Sequence, residues 1–260
     1  MKKYKEVLII PDPHDSPGIS QDRFRIAGQF MMDRMPEYVV CLGDWTEMGS
    51  LSKYDVGRLS AEGKRYCDDV VSANKALEIF NRPLADYNKT STRWKKKKYQ
   101  PKMIMCEGNH ENRITVAAQS TPSLYGTISL ADLQFNKYGW ITHPLAKPAI
   151  VEGIAFSHYF TSGVMGRPIG GLNHARSLLT KCLTSSIVGH SHLRDMSEDV
   201  TATGKRILGL VAGCYFEHEM EWTGENLRYW RGLVYLHDVY DGMAEPEFLS
   251  LKNYLKMKYT

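Results

Sequence analysis

Aspartate, asparagine and histidine recur in five short blocks along this chain: Asp12-x-His14, Gly43-Asp44, Gly108-Asn109-His110-Glu111, His158 and Gly189-His190-Ser191-His192. Their oxygen and imidazole atoms are the kind that coordinate hard and borderline divalent cations. Most blocks follow an apolar run, so the spacing places these residues where strands end and loops begin. Asp12 and His14 are two apart at such an end and point to one side of the chain; His190 and His192 repeat the arrangement. Asp44 closes the run at 38–42, and its two carboxylate oxygens are enough to bridge two ions. Asn109 adds a neutral oxygen after 104–106, and His158 closes the run at 154–157. Together these blocks describe a two-metal hydrolytic site, placed at strand C-termini as open α/β sheets place theirs.

Short runs rich in Val, Ile, Leu and aromatics predict strands at 6–11, 38–42, 102–106, 149–151, 154–157, 186–188, 207–212 and 233–239. Glu152-Gly153 reads as a hairpin turn, as does Thr203-Gly204 between 195–201 and the strand beginning at Ile207. Helical periodicity covers 23–35, 61–87, 112–119 and 172–183, the second following Ser60 as N-cap. Strands alternate with helices in the first half and hairpins crowd the second. That pattern predicts mixed sheets with helices outside. No repeat, low-complexity tract or Pro/Gly-rich linker divides residues 1–260, which read as a single domain.

Composition excludes little but is consistent. The chain is 43% apolar and 24% charged with a net charge of +4, mild enough to tolerate a phosphate-bearing substrate without implying nucleic acid. No stretch approaches the roughly 18 apolar residues of a membrane span. The run at 7–10 is too short for a signal peptide. Five scattered cysteines form no C-x-x-C pair, and Cys41, Cys106 and Cys182 lie among apolar residues. They read as reduced core residues, and a cytoplasmic location is the expectation.

The order D-x-H, G-D, G-N-H-E, H, G-H-x-H resembles the calcineurin-like metallophosphoesterase superfamily, and especially its compact phage and bacterial members. The resemblance spans residues 12 to 192. It implies a four-layered αββα sandwich of two mixed β-sheets flanked by helices, with a dinuclear centre between sheet edges. One ion would be held by Asp12, His14, Asp44 and His192, and the second by Asp44, Asn109, His158 and His190. His110 would be the general acid or an electrostatic partner of the phosphate. Paired cations about 3.5–4 Å apart bring the pKa of a shared water toward neutrality and neutralise phosphoryl charge during in-line attack. An imidazole that protonates the leaving group contributes about 10²–10⁴-fold. The ligand set suits manganese, with iron, zinc and nickel as alternatives.

Residues around the blocks narrow the branch. Protein Ser/Thr phosphatases carry GDxxDRG where this chain reads GDWTEMG, so the Arg-Gly signature is absent. Glu47 either orients His110, as the family Asp does, or is a solvent carboxylate. It also excludes the metal-bound Tyr that purple acid phosphatases carry there. Arg113 either reaches the substrate phosphate or, the reading favoured here, pairs with Glu111. Residues 109–113 open a helix whose N–H groups favour an anion. The segment Arg93-Trp94-Lys95-Lys96-Lys97-Lys98-Tyr99 is either a loop that touches nucleic acid or a solvated loop before a buried strand. Trp45, Met48 and residues 222–230 could line a substrate mouth; for the last, a lid or core edge is the alternative. His174 and Arg167 are further candidates for a phosphate contact, whereas His143, His218 and His237 match no block.

The expected activity is therefore phosphodiester hydrolysis on nucleic acid or a nucleotide. A phosphomonoesterase is the alternative, and a non-catalytic binding module of the same fold is a third reading.

Overall fold

The computed structural model describes residues 4–219 and 227–259. Its elements in chain order begin with β1 (Lys5–Ile10), α1 (Asp22–Arg34), β2 (Tyr38–Cys41), α2 (Tyr66–Arg93), β3 (Lys102–Cys106), α3 (Asn112–Ser120) and β4 (Trp140–His143). Then come β5 (Ala149–Val151), β6 (Ile154–Ser157), β7 (Thr161–Ser162), β8 (Arg167–Pro168), α4 (His174–Cys182) and β9 (Ser186–Val188). The described chain finishes with β10 (Arg194–Val200), β11 (Arg206–Ala212), β12 (Gly232–Tyr240), β13 (Met243–Ser250) and a last helical turn, α5 (Lys256–Tyr259).

Two mixed sheets form, ordered β13-β12-β1-β2-β3-β4 and β10-β11-β9-β6-β5. In the first, β1 to β4 run parallel; in the second, β9 runs parallel to both β6 and β11. A parallel strand is covered on both faces, and β1 accordingly reads as an unbroken apolar run. Val7 and Ile9 point into a core shared with Phe156, Ile187 and Leu210 of the second sheet. Leu8 and Ile10 point the other way, into a core with Phe24, Phe30, Leu77 and Phe80 of α1 and α2. On the far face of the second sheet, Val188 and Val211 pack against Ala175 and Leu178 of α4. The order of layers is thus helices, sheet, sheet, helix.

Both expected hairpin turns form. Glu152 and Gly153 adopt φ of 47° and 85°, and a turn with φ positive at both central residues matches the twist of the strands it joins. Four of the described strands were not expected: β4 and β13 are edge strands, β13 carrying Pro246, which an edge tolerates, and β7 and β8 form a separate two-stranded ribbon.

The second helix departs most from expectation. It starts at Tyr66 rather than Ala61, because Gly63 turns left-handed (φ 72°) after a 3₁₀ turn at Leu59–Ala61. It then continues to Arg93 through polar residues with no periodic apolar face, where a loop was expected. Its packing on α1 depends on Gly28, since a Cβ there would overlap the Phe80 carbonyl. Gly28→Ala is expected to destabilise the fold by about 1–2 kcal/mol, overpacking outweighing the helix preference of Ala. Denaturant unfolding checks this: a midpoint at or above the wild-type value would show that the helices part freely.

Cys41, Cys106 and Cys214 are buried thiols, while Cys182, expected in the core, is half-exposed at the end of α4. Among the described residues no helix is long and apolar enough to cross a membrane.

Candidate metal centre

The five blocks occupy the loops that follow β1, β2, β3, β6 and β9. These loops are tightly bent. Asp12, His14, Asp44, His190 and His192 all have positive φ, between 36° and 64°. Non-glycine residues seldom adopt that region, and doing so costs on the order of 1–3 kcal/mol each. The glycines of the blocks have a separate reason. A Cβ at Gly108 would overlap the Asp44 carboxylate, and one at Gly189 would overlap that of Asp12. Both carboxylates therefore lie directly over bare backbone.

The seven candidate ligands meet in two groups. In the first, His14 Nε2 lies 3.2 Å from His192 Nε2, which lies 3.3 Å from Asp12 Oδ2. In the second, His158 Nε2 lies 2.9 Å from Asn109 Oδ1 and 3.1 Å from His190 Nδ1. Asp44 stands between the groups, with Oδ2 at 3.5 Å from His14 Nε2 and 3.2 Å from His158 Nε2.

Hydrogen bonds behind the rings set their direction. His14 Nδ1 donates to Glu47 Oε2 at 2.7 Å, and His158 Nδ1 donates to the Leu42 carbonyl at 2.9 Å. His14 Nε2 then presents its lone pair to the centre, and His158 Nε2 does so once its second proton leaves, the orientation that partners behind metal-bound imidazoles impose. Asp12 Oδ2 accepts from His190 N and Asp44 Oδ1 from His110 N, while Asp12 Oδ1 is buried with no hydrogen-bond partner among the described residues.

Burial disfavours charged imidazole, and it takes His14 down to about 3 and His190 down to about 4. Burial acts on His158 the same way, but Asp44 and Asp12 outweigh it and lift this ring to about 9. Burial likewise pushes Asp44 up, yet the imidazoles of His158 and His110 hold it well below the ordinary carboxylate range. Two buried carboxylates thus draw positive charge to one spot, where neutral imidazoles and an amide oxygen already point. That donor set fits a pair of divalent cations, with Asp12, His14 and His192 on one, Asn109, His158 and His190 on the other, and Asp44 shared.

Metal binding must compete with the proton on His158. Ligation requires the deprotonated ring, so apparent affinity should fall about tenfold per pH unit below about 9. Titration calorimetry in two buffers of different ionisation enthalpy measures this, with about one proton released per chain expected at pH 7.5. A heat independent of buffer would show that no such proton is there.

His110 faces the same centre from outside the two groups. Its Nδ1 donates to the Glu47 carbonyl at 2.8 Å, leaving Nε2 at 3.8 Å from Asp44 Oδ2. Burial pushes this imidazole down from its ordinary value, Asp44 and Glu47 partly opposing. Glu47 is therefore no solvent carboxylate: its side chain fixes His14 and its backbone fixes His110.

The expected pairing of Arg113 with Glu111 does not form. Arg113 Nη1 donates to the carbonyls of Glu47 (3.0 Å) and Met48 (3.3 Å). Glu111 is turned inward and accepts from the backbone N–H groups of Asp44, Thr46 and Gly108. It clamps the second and third ligand loops together. Burial, reinforced by Asp44, pushes its carboxyl up to about 7.

Trp45 and Met48 do not line a mouth. Both are fully buried, and Trp45 donates to the Ala73 carbonyl and packs against Phe24, Phe80 and Trp140. Of residues 222–230, the part through residue 226 lies outside the described residues, while Tyr229 stacks edge-on against His192. Phe216 flanks both His14 and His192. Phe216 went unassigned in the sequence, although it follows the apolar run of β11 just as the ligand blocks follow theirs, and Glu111 was assigned only as a partner of Arg113.

Lys95 to Lys98 are exposed at the entry to β3, with Tyr99 bonded to the carbonyl of Pro36 before β2. They lie at the opposite end of the sheet from Asp44 and Asn109, a strand length of roughly 15 Å away. His174 is buried and bonds Ser191, so it supports the last ligand loop rather than meeting solvent. Arg167 is on the exposed strand β8. His143 and His237 belong to β4 and β12, and His218 lines a cavity beside Glu47.

No family model and no curated protein matches the chain. Among solved structures it is similar to TT1561 of Thermus thermophilus, at 7% sequence identity and a TM-score of 0.38, over 94% of this chain and 99% of that one. So distant a likeness carries no weight, and the metal centre stands on its own geometry.

Proposed function

We propose that this chain is a binuclear metal-dependent phosphoesterase of the calcineurin-like metallophosphoesterase superfamily, acting on phosphodiesters of nucleotides or nucleic acid. One observation carries the reading: seven ligating side chains from five loops meet in two groups, with Asp44 Oδ2 within 3.5 Å of an imidazole nitrogen in each. Two bound divalent cations, manganese foremost, supply Lewis acidity toward water and phosphoryl oxygens. The chain's own residues do the rest. Glu47 and Leu42 hold His14 and His158 in the ligating tautomer. Glu111 holds the Asp44 loop against the Asn109 loop. His110, with Nδ1 donating to the Glu47 carbonyl, turns Nε2 to the centre; in its imidazolium form, which Asp44 and Glu47 favour, it would give the Nε2 proton to the departing oxygen and be left neutral.

A diester is supported by the surroundings of the Glu47–Arg113 pair. One cavity, of about 550 Å³, reaches Glu47 and His218; another, of about 400 Å³, reaches Asn109 and Arg113. A phosphodiester has an organic group for each. The exposed lysines at 95–98 are too far from the centre to contribute there. Protein stripped by chelation and reloaded with manganese is expected to hold two ions per chain by elemental analysis. It should also cleave bis(p-nitrophenyl) phosphate in preference to p-nitrophenyl phosphate. Turnover of the monoester alone would replace the diesterase by a phosphatase, and fewer than two ions would end the binuclear reading.

A further inference from the structure

The cavity beside Asn109 has a definite chemistry. Its floor is one face of α3, where Arg113, Val116 and Ala117 stand at i, i+3 and i+4. Its wall is Leu51, Lys53 and Tyr54, from the loop that connects the Asp44 block to α2. The Tyr54 residue is 79% exposed, an aromatic surface with little protein over it. Val116 and Ala117 are short, which leaves a shallow apolar slot facing that wall. Two cations, Lys53 and Arg113, border the slot, and no carboxylate lines it among the described residues. At about 400 Å³ it falls within the range that takes small organic ligands. Asn109, a candidate ligand of the second ion, forms its inner end.

We propose that this cavity is a nucleotide subsite: Tyr54 and the Val116–Ala117 face receive the base, and Lys53 receives a phosphate other than the scissile one. The proposal rests on the phosphoesterase reading for the position of the scissile phosphate, but the pocket's preference for a base does not need bound metal. An aromatic base stacks on tyrosine whatever its sequence identity. A bare sugar phosphate meets only the cations. The cavity on the other side of Glu47 differs, since its lining mixes Glu47, Asp55 and Glu219 with Arg58 and Lys64, the last 3.6 Å from Asp55, and among the described residues includes no tyrosine or other aromatic face than His218. The two organic groups of the substrate are therefore not equivalent, and the Asn109 side is the one that reads a base.

Binding of adenosine 5′-monophosphate and of ribose 5-phosphate, measured by calorimetry on metal-free and manganese-loaded protein, tests this. The wild type should bind the nucleotide about tenfold more tightly than the sugar phosphate. Tyr54→Ala should remove most of that preference while the metal content by elemental analysis stays unchanged. In loaded protein, the same variant should raise KM for a dinucleotide about tenfold with kcat within a factor of two or so. Lys53→Glu should weaken pApA more than ApA, because only the former has a phosphate beyond the scissile one. Equal affinity of wild type for nucleotide and sugar phosphate overturns the proposal, as does an undiminished preference in Tyr54→Ala. Tighter binding of phosphotyrosine than of the nucleotide overturns it in favour of a phosphoprotein substrate. Failure to load two ions with the nucleotide preference intact would sink the phosphoesterase reading and leave the subsite standing.

Discussion

Asp44→Asn is expected to abolish turnover, with a loss of about 10³-fold or more, and to leave fewer than two ions per chain. The substitution keeps size and keeps Oδ1, which accepts from His110 N. What changes is the atom at Oδ2. An amide nitrogen would face His14, His158 and His110 nitrogens at 3.2 to 3.8 Å, where the carboxylate oxygen now stands. With Nδ1 of His14 and of His158 already donating, the amide N–H groups would compete for the Nε2 lone pairs that would hold the ions, and the negative charge shared by both groups would be gone. A metal pair supplies several kcal/mol of charge stabilisation, equivalent to the stated loss in rate. Elemental analysis and steady-state kinetics on the same preparation check this. A variant that still held two ions and turned over at wild-type rate would remove Asp44 from between the groups.

His110→Ala should separate binding from chemistry. The imidazole belongs to neither ligand group, so both ions should remain. The loss should appear in kcat at about 10²–10⁴-fold for substrates with a poor leaving group. An activated leaving group such as p-nitrophenolate needs no proton, so the same variant should lose far less on bis(p-nitrophenyl) phosphate. Equal losses on both substrates would assign His110 to charge stabilisation, and no loss on either would remove it from the mechanism. Cutting the ring also releases the Glu47 carbonyl, which Arg113 still holds at 3.0 Å, and this should keep the loop in place.

The placement of the candidate ligands was legible in the sequence because their blocks follow apolar runs, and β1, β2, β3, β6 and β9 each lead into one block. The same runs predicted mixed sheets with helices outside, while the four-layered order was implied by the family resemblance. Three things were hidden. The left-handed backbone at Asp12, His14, Asp44, His190 and His192 has no signature in residues that normally avoid it; only the packed sheets hold it. The inward turn of Glu111 is a long-range effect, since its partners include Asp44 and Thr46, some 65 residues away in sequence. The extension of α2 through 88–93 has no periodic apolar face, so helix and loop read alike there. Trp45 was misplaced for a related reason: one residue after a ligand, the chain turns its side chain into the helix-covered core.

Both ligand groups draw on both sheets. Asp12, His14, Asp44 and Asn109 follow strands of the first sheet, and His158, His190 and His192 follow strands of the second. In terms of chain connectivity the centre is a cross-link: it joins His14 to His192 across 178 residues. Closing so wide a loop is entropically little harder than closing one half as long, so distance along the chain is no obstacle. A cut anywhere between Asn109 and His158, however, leaves each fragment with an incomplete set of donors for either ion. The full donor set is a property of the closed sandwich, and neither half of the chain carries it.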